Sequence, residues 1–127
     1  MACNGGYVLV VDDDPVIRST LAEILAEDYG HNIKTAGDGR EALEVMLQVP
    51  PPSLVLVDLM MPRMDGASFI ACTSEQPALS GVHFCVMTAY SRRDGLSRLA
   101  PAIAQDVPIL RKPFDLDELM SLVERYC

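Results

Sequence analysis

Short, continuous runs of apolar residues recur along the chain, and most of them end at a charged or hydroxyl-bearing residue. The clearest run covers residues 54–57, Leu-Val-Leu-Val, and it ends at Asp58. An apolar run of this length without polar alternation is typical of a strand that is buried on both faces. We therefore expect Asp58 to project from the core at the carboxyl end of a strand. Similar runs predict further strands over 7–11, 82–87 and 107–110, and a weaker strand is predicted over 33–36.

Between these runs, apolar residues recur at helical spacing, which predicts a helix after each strand. Asp14 followed by Pro15 is a favourable helix start, because the carboxylate can cap free N–H groups and proline suits the first helical position. Asp38 and Glu41 form a variant of the capping box at the start of the second helix. That helix is expected to bury Leu43, Met46 and Leu47. Later helices are expected to begin near Asp65, Ser91 and Asp115.

This alternation of strands and helices predicts an α/β fold with a five-stranded parallel sheet, doubly wound, and helices on both faces. Right-handed crossovers between the parallel strands limit the topology further. The length of 127 residues is that of one domain. We expect an N-terminal tail over 1–6 and one folded domain over 7–127. The sequence leaves open whether the chain is a complete protein or a part of a longer one.

Composition and charge exclude several classes of protein. Apolar residues make up 50% of the chain, which indicates a globular rather than a disordered protein. The net charge of -8 disfavours direct binding of nucleic acid. The four cysteines lack the paired spacing of a zinc site. No signal peptide and no apolar stretch long enough to span a membrane is visible, so we expect a cytoplasmic protein.

The predicted sheet gathers polar side chains at one edge, because the carboxyl ends of parallel strands lie together. That edge receives Asp12 and Asp13 from the first strand, Asp58 from the third, Thr88 from the fourth and Lys112 from the fifth. Taken singly, each of these residues is as well explained by a turn, a strand end or a surface charge. Taken together, three carboxylates repel one another, and a hard divalent cation relieves this repulsion. Mg²⁺ fits such a set of oxygen ligands. Asp13 and Asp58 would hold the ion directly, and Asp12 would contact it through water.

The same set of residues suggests phosphoryl-transfer chemistry. Asp58 can act as a nucleophile toward a phosphoryl group and form an aspartyl-phosphate. Lys112 can neutralise charge on the phosphoryl oxygens, and the Thr88 hydroxyl can donate a hydrogen bond to them. Catalytic roles are therefore expected for Asp58, Lys112 and Thr88.

Four motifs carry a resemblance to a known family over nearly the whole chain. They are Val10-Val11-Asp12-Asp13-Asp14-Pro15, Asp58-Leu59-Met60-Met61-Pro62-Arg63-Met64-Asp65-Gly66, Met87-Thr88-Ala89 and Arg111-Lys112-Pro113-Phe114. In this order and at this spacing they resemble the receiver domain of two-component response regulators. The resemblance implies a flavodoxin-like strand order 2-1-3-4-5. It also implies Mg²⁺-dependent phosphotransfer to Asp58 from a sensor histidine kinase or a histidine phosphotransfer protein, with the backbone carbonyl of Met60 completing the metal shell.

The resemblance further implies a switch that reports phosphorylation to a partner. In the family, the residue equivalent to Thr88 moves toward the phosphoryl group and an aromatic residue three positions before the lysine rotates inward. That position is Ile109 here, and Tyr90 is a weaker candidate for part of the switching role. The switch would remodel the face made by the fourth helix, fifth strand and fifth helix, where an output domain or partner protein would bind. A homodimer through this face is compatible with the sequence, although no residue favours it.

The sequence admits two alternatives to a phosphoacceptor domain. The first is a phospho-independent protein-interaction domain of the same fold, which the aliphatic Ile109 favours and the complete set of acids and Lys112 disfavours. The second is a true enzyme, such as a phosphatase that works through an aspartyl-phosphate. Such an enzyme would carry its nucleophile after the first strand, whereas the isolated Asp58 follows the third. The favoured interpretation is a signalling domain that catalyses only its own phosphorylation and dephosphorylation.

Overall fold

The computed structural model describes residues 7–28, 32–48, 50–58, 66–79, 81–88, 109–111 and 115–126. Five strands form one parallel sheet in the order β2-β1-β3-β4-β5. The strands are β1 (Val8–Val11), β2 (Ile33–Ala36), β3 (Leu54–Asp58), β4 (His83–Thr88) and β5 (Ile109–Arg111). This arrangement confirms the predicted α/β fold and the strand order 2-1-3-4-5.

Helices follow β1, β2, β3 and β5, as the sequence predicts. The described helices are α1 (Pro15–Glu23), which continues as a π-helical turn over Ile24–Asp28, α2 (Gly39–Gln48), α3 (Gly66–Ser74), a 3₁₀ turn over Pro77–Leu79, and the last helix (Leu116–Tyr126). The predicted tail over 1–6 and the helix predicted to begin at Ser91 lie outside the described residues. None of the helices in the described part of the chain has the length and hydrophobicity needed to cross a bilayer.

The continuous apolar runs of the strands are explained by burial on both sides of the sheet. One set of side chains packs with α2 and α3, and the set that alternates with it packs with α1 and the last helix. Consecutive strand residues point to opposite faces, so a strand covered on both sides needs apolar residues at every position. All five residues of β3, including Asp58, are buried.

The prediction that Leu47 lies in the core is wrong. Met46 of α2 is 1% exposed and Leu43 packs partly buried against the core, as predicted, but Leu47 is 58% exposed. Ala42 is fully buried. Ala42 and Met46 lie four residues apart and form the helix stripe that faces the sheet, and Leu47 is rotated about 100° away from Met46.

The strand register brings two acidic positions to the same level of the sheet. Val11 at the end of β1 pairs with Val57 of β3, so the next residues along the two strands are Asp12 and Asp58. Asp58 itself pairs with Met87 of β4. The carboxyl edge of the sheet therefore places Asp12 beside Asp58 through backbone pairing alone.

Candidate functional site

Three carboxylates form a compact cluster at the carboxyl edge of the sheet. One oxygen from each of Asp12, Asp13 and Asp58 can be chosen so that all three lie within 4.8 Å of one another. Asp12 is fully buried, Asp58 is 8% exposed, and Asp13 is exposed to solvent. Asp58 lies at the predicted strand end, but its side chain is buried rather than projecting from the core. The cluster thus has a buried floor and one open side.

The loop after β1 gives each of its three aspartates a different environment. The Asp12 N–H donates to the carbonyl of Ala36 at 3.2 Å, and its Oδ1 accepts the N–H of Asp14 at 2.9 Å. Asp14 Oδ1 in turn accepts the N–H of Val16 at 2.9 Å and of Ile17 at 3.5 Å. Asp14 is therefore the N-cap of α1, as predicted, while Asp12 belongs to the cluster and also stabilises the turn that leads into α1.

The chemistry of the cluster suits a hard divalent cation. Carboxylate oxygens are the ligands that Mg²⁺ takes together with retained water molecules. Two of these carboxylates are buried, where mutual repulsion is stronger than in water. The exposed Asp13 keeps one side of the cluster in contact with solvent, from which an ion and its waters can enter. The donor set of Asp12, Asp13 and Asp58 therefore fits Mg²⁺.

Several residues that the sequence assigns to the site lie wholly or partly outside the described structure. The backbone of Thr88 is described as the end of β4, paired with Arg111 of β5, but its side chain is not described. Met60, Tyr90 and Lys112 lie outside the described residues. The proposed metal-binding role of the Met60 carbonyl and the proposed contact of Lys112 with a phosphoryl group thus stay predictions.

Ile109, the candidate switch residue, is described as the first residue of β5. Its side chain is partly buried and packs against the core cluster on the α2 and α3 side of the sheet. It pairs with Val86 of β4, which belongs to the same cluster. The residue that stands where the family has an aromatic ring is therefore an aliphatic side chain in contact with the core.

Arg18 contacts the site, although the sequence does not mark it as a site residue. Arg18 lies on α1, and its Nη1 donates a hydrogen bond of 2.8 Å to the backbone carbonyl of Asp12. The sequence offers one signal for this contact, a basic residue shortly after the acidic run. That signal alone does not distinguish a buried contact from an ordinary surface charge. The side chain also borders an open groove of about 860 Å³ beside the edge strand β2, away from the acidic cluster.

Similar proteins of known sequence include regulators from several bacteria. The transcriptional regulatory protein PdtaR of Mycobacterium tuberculosis is 38% identical over 117 residues, which are 92% of this chain and 54% of PdtaR. The probable chemotaxis protein CheY of Rhizobium etli is 32% identical over 117 residues, which are 92% of this chain and 88% of that protein. The chain thus spans about half the length of PdtaR and most of the length of the CheY protein.

Solved structures show the same fold. Vibrio cholerae chemotaxis protein CheY4 superimposes with a TM-score of 0.83 at 26% identity, covering 96% of this chain and 98% of CheY4. The receiver domain of a histidine kinase from Syntrophus aciditrophicus gives a TM-score of 0.82 at 29% identity, covering 95% of this chain and 89% of that domain. The family model of the response regulator receiver domain matches residues 8–124. With the sheet order and the acidic cluster in agreement, this match identifies the chain as a member of the response regulator receiver domain family.

Proposed function

We propose that this receiver domain accepts a phosphoryl group on Asp58 from a sensor histidine kinase or a histidine phosphotransfer protein, in a Mg²⁺-dependent reaction. The proposal rests on one observation: Asp58 lies with Asp12 and Asp13 in a cluster whose oxygens approach within 4.8 Å. A lone aspartate at a strand end would have ordinary structural explanations. A buried acceptor carboxylate beside two further carboxylates provides both a nucleophile and a metal site.

In the proposed reaction, a carboxylate oxygen of Asp58 attacks the phosphorus of a phosphohistidine on the donor protein. An O–P bond forms, the P–N bond breaks, and its electron pair stays on the imidazole nitrogen, which takes up a proton. The family resemblance assigns the Thr88 hydroxyl and the Lys112 ammonium to the phosphoryl oxygens.

Asp12, Asp13, Asp58 and the Met60 carbonyl are the residues that would hold Mg²⁺. The ion, when bound, supplies neutralisation of negative charge on the transferred group. The role of the chain's own residues is to bring oxygen ligands together: β1 and β3 fix the backbone of Asp12 and Asp58, and the loop after β1 carries Asp13.

The proposed domain, residues 7–127, acts on itself and on no other substrate: it gains a phosphoryl group and loses it to water. Its output would be a change in the binding of an output domain or partner protein at the face made by the helix predicted from Ser91, β5 and the last helix. We place this activity in the cytoplasm, where histidine kinases present their phosphoryl groups. A homodimer through the same face is one form of this output.

The experiment that tests phosphorylation is incubation with Mg²⁺ and acetyl phosphate, followed by intact-mass analysis. The wild-type chain should gain the mass of one phosphoryl group, and Asp58→Asn should gain none. Asp14→Asn is the matched control, because it removes an acid from the same loop while leaving the cluster and a capping side chain in place. A wild-type chain without an adduct, or an Asp58→Asn variant with an undiminished one, would contradict the proposal.

The packing of Ile109 favours one second candidate, a domain that binds its partner regardless of phosphorylation. An aliphatic side chain already in contact with the core has no aromatic ring to rotate inward. NMR spectra with Mg²⁺ and beryllofluoride distinguish the two functions. Changes at Asp13 and Asp58 that extend to Ile109, Leu110 and the last helix support the switch, whereas changes confined to the acidic cluster support the second candidate.

A further inference from the structure

We infer that Arg18 is a positioning residue for the acidic cluster, holding the backbone from which Asp13 projects; this inference rests on the proposed function. Its side chain reaches back six residues along the chain, from α1 to the end of β1, where Nη1 donates to the Asp12 carbonyl at 2.8 Å. Arg18 is half-buried, so this hydrogen bond is partly shielded from water.

The contact adds a further hydrogen bond to those that hold Asp12 in place. Its N–H donates to the Ala36 carbonyl at 3.2 Å, its Oδ1 accepts the Asp14 N–H at 2.9 Å, and its carbonyl accepts from Arg18. The carbonyl of Asp12 and the nitrogen of Asp13 belong to one peptide plane. A donor that holds this carbonyl therefore sets the direction in which Asp13 leaves the strand. The Asp13 side chain is exposed, so surrounding side chains do not enclose it. Its orientation toward Asp58 therefore depends on the direction of this backbone.

The turn between β2 and α2 fits closely around the guanidinium group. A Cβ added at Gly37 would lie 3.1 Å from Arg18 Nη1 and 3.4 Å from Glu41 Oε2. Glu41 Oε2 accepts the Gly37 N–H at 3.0 Å, which holds the turn in place. Gly37→Ala therefore displaces the guanidinium by a few tenths of an ångström without changing any charge. This variant perturbs the Arg18 contact independently of substitutions at Arg18 itself.

A general electrostatic effect is the main alternative explanation. A positive charge near three carboxylates reduces their mutual repulsion, whatever its exact position. If Arg18 acted only in this way, its removal would make the carboxylates attract a cation more strongly. Arg18→Met removes the charge and the hydrogen bond together, and Arg18→Lys keeps the charge on a donor of different geometry. Arg40→Gln is the matched control, because Arg40 is an exposed cation on the nearby α2. Positioning predicts weaker Mg²⁺ binding in Arg18→Met, whereas simple electrostatics predicts tighter binding.

The test is a Mg²⁺ titration of the full chain, followed by amide NMR signals of Asp13 and Asp58. Arg18→Met should raise the dissociation constant about tenfold, within the range for residues that orient metal ligands. Arg18→Lys should restore part of the affinity, Gly37→Ala should lose a smaller part, and Arg40→Gln should bind no more weakly than the wild type. In metal-free spectra, the Asp13 amide nitrogen should shift in Arg18→Met and stay in place in Arg40→Gln, because it shares the peptide plane of the carbonyl.

The outcomes separate this inference from the proposed function. A wild-type chain that binds no Mg²⁺ overturns the proposed function and the inference with it. A wild-type chain that binds Mg²⁺, with Arg18→Met equal or tighter in affinity, overturns the inference alone. Urea unfolding of each variant tests for a purely structural role: a less stable Arg18→Met with wild-type affinity also overturns it. If Arg18→Met does not fold, Arg18→Lys and Gly37→Ala provide the test. Wild-type Mg²⁺ affinity in both variants would contradict the positioning role of Arg18.

Discussion

At the scale of single residues, the three aspartates that follow β1 show how position determines the role of one side-chain type. Asp12 is fully buried beside Asp58, Asp13 is exposed at the open side of the cluster, and Asp14 caps α1. The oxygens of Asp12 and Asp13 belong to the acidic cluster, and Asp14 accepts backbone N–H groups instead. Neighbours in sequence therefore divide between the acidic cluster and the cap of a helix.

This division predicts different effects of substitutions at Asp14. Asp14→Ala should lower the free energy of unfolding by about 1 kcal/mol, because the first turn of α1 loses its acceptor. Asp14→Asn should keep most of the stability, since asparagine is an equally good cap. Urea unfolding in the absence of Mg²⁺ measures both effects. A Mg²⁺ affinity that falls in Asp14→Asn as much as in Asp13→Asn would show that Asp14 belongs to the metal site after all.

At the scale of secondary-structure elements, α2 separates a core side chain from an exposed neighbour of similar size. Met46 is 1% exposed and Leu47 is 58% exposed. Met46→Ala should lower the free energy of unfolding by about 2–5 kcal/mol, because it removes buried methylene groups and leaves a cavity. Leu47→Ala should change it by less than about 0.5 kcal/mol. Urea unfolding of the two variants makes the comparison, and equal losses would contradict the orientation of α2.

The same helix shows how far the sequence predicts the elements. The strands β1 and β3 could be predicted because burial on both faces requires continuous apolar residues, and helix starts could be predicted from local caps such as Asp14 and Asp38. The backbone N–H of Glu41 donates to Asp38 Oδ1 at 2.8 Å, as the capping pattern predicts. The sequence alone predicts Leu47 in the core, because local spacing does not show where the surface of the sheet ends beneath a helix. The strand order followed from the family resemblance, since periodicity does not specify which strands are neighbours.

The acidic cluster was predictable in part, because parallel strands bring their carboxyl ends together. The burial of Asp58 and the contact of Arg18 with Asp12 were not predictable. Both depend on distances between elements that are remote in sequence or on the path of a long side chain. Such tertiary contacts leave no periodic pattern in the chain.

Across the molecule, packing on both faces of the sheet makes the free energy of unfolding fall as the pH becomes alkaline. Cys85 of β4 lies at 0% exposure in the core cluster on the α1 side of the sheet. Burial disfavours the thiolate and raises the pKa of the Cys85 thiol from 9.0 to about 12. Burial also raises the pKa of Tyr7, on the opposite face. Both groups make the folded state bind protons more tightly than the unfolded state.

The sign of the effect follows from the two pKa values of Cys85. Well below pH 9.0 the thiol is protonated in both states, so its contribution does not change with pH. Between pH 9.0 and about 12 the unfolded chain loses the proton and the folded chain keeps it, so stability falls as pH rises. The slope is at most about 1.4 kcal/mol per pH unit for one group.

Cys85→Ala should therefore lose less stability than the wild type as the pH rises above 9.0, although it is the less stable protein at neutral pH because of the small cavity it creates. Urea unfolding of both proteins across this range, under reducing conditions, measures the difference, and the contribution of Tyr7 cancels because both proteins contain it. Cys72→Ala is the matched control, since it removes a half-buried thiol and retains the fully buried Cys85. Parallel pH profiles for the wild type and Cys85→Ala would contradict the burial of this thiol, and with it the close packing of β4 against the α1 side of the molecule.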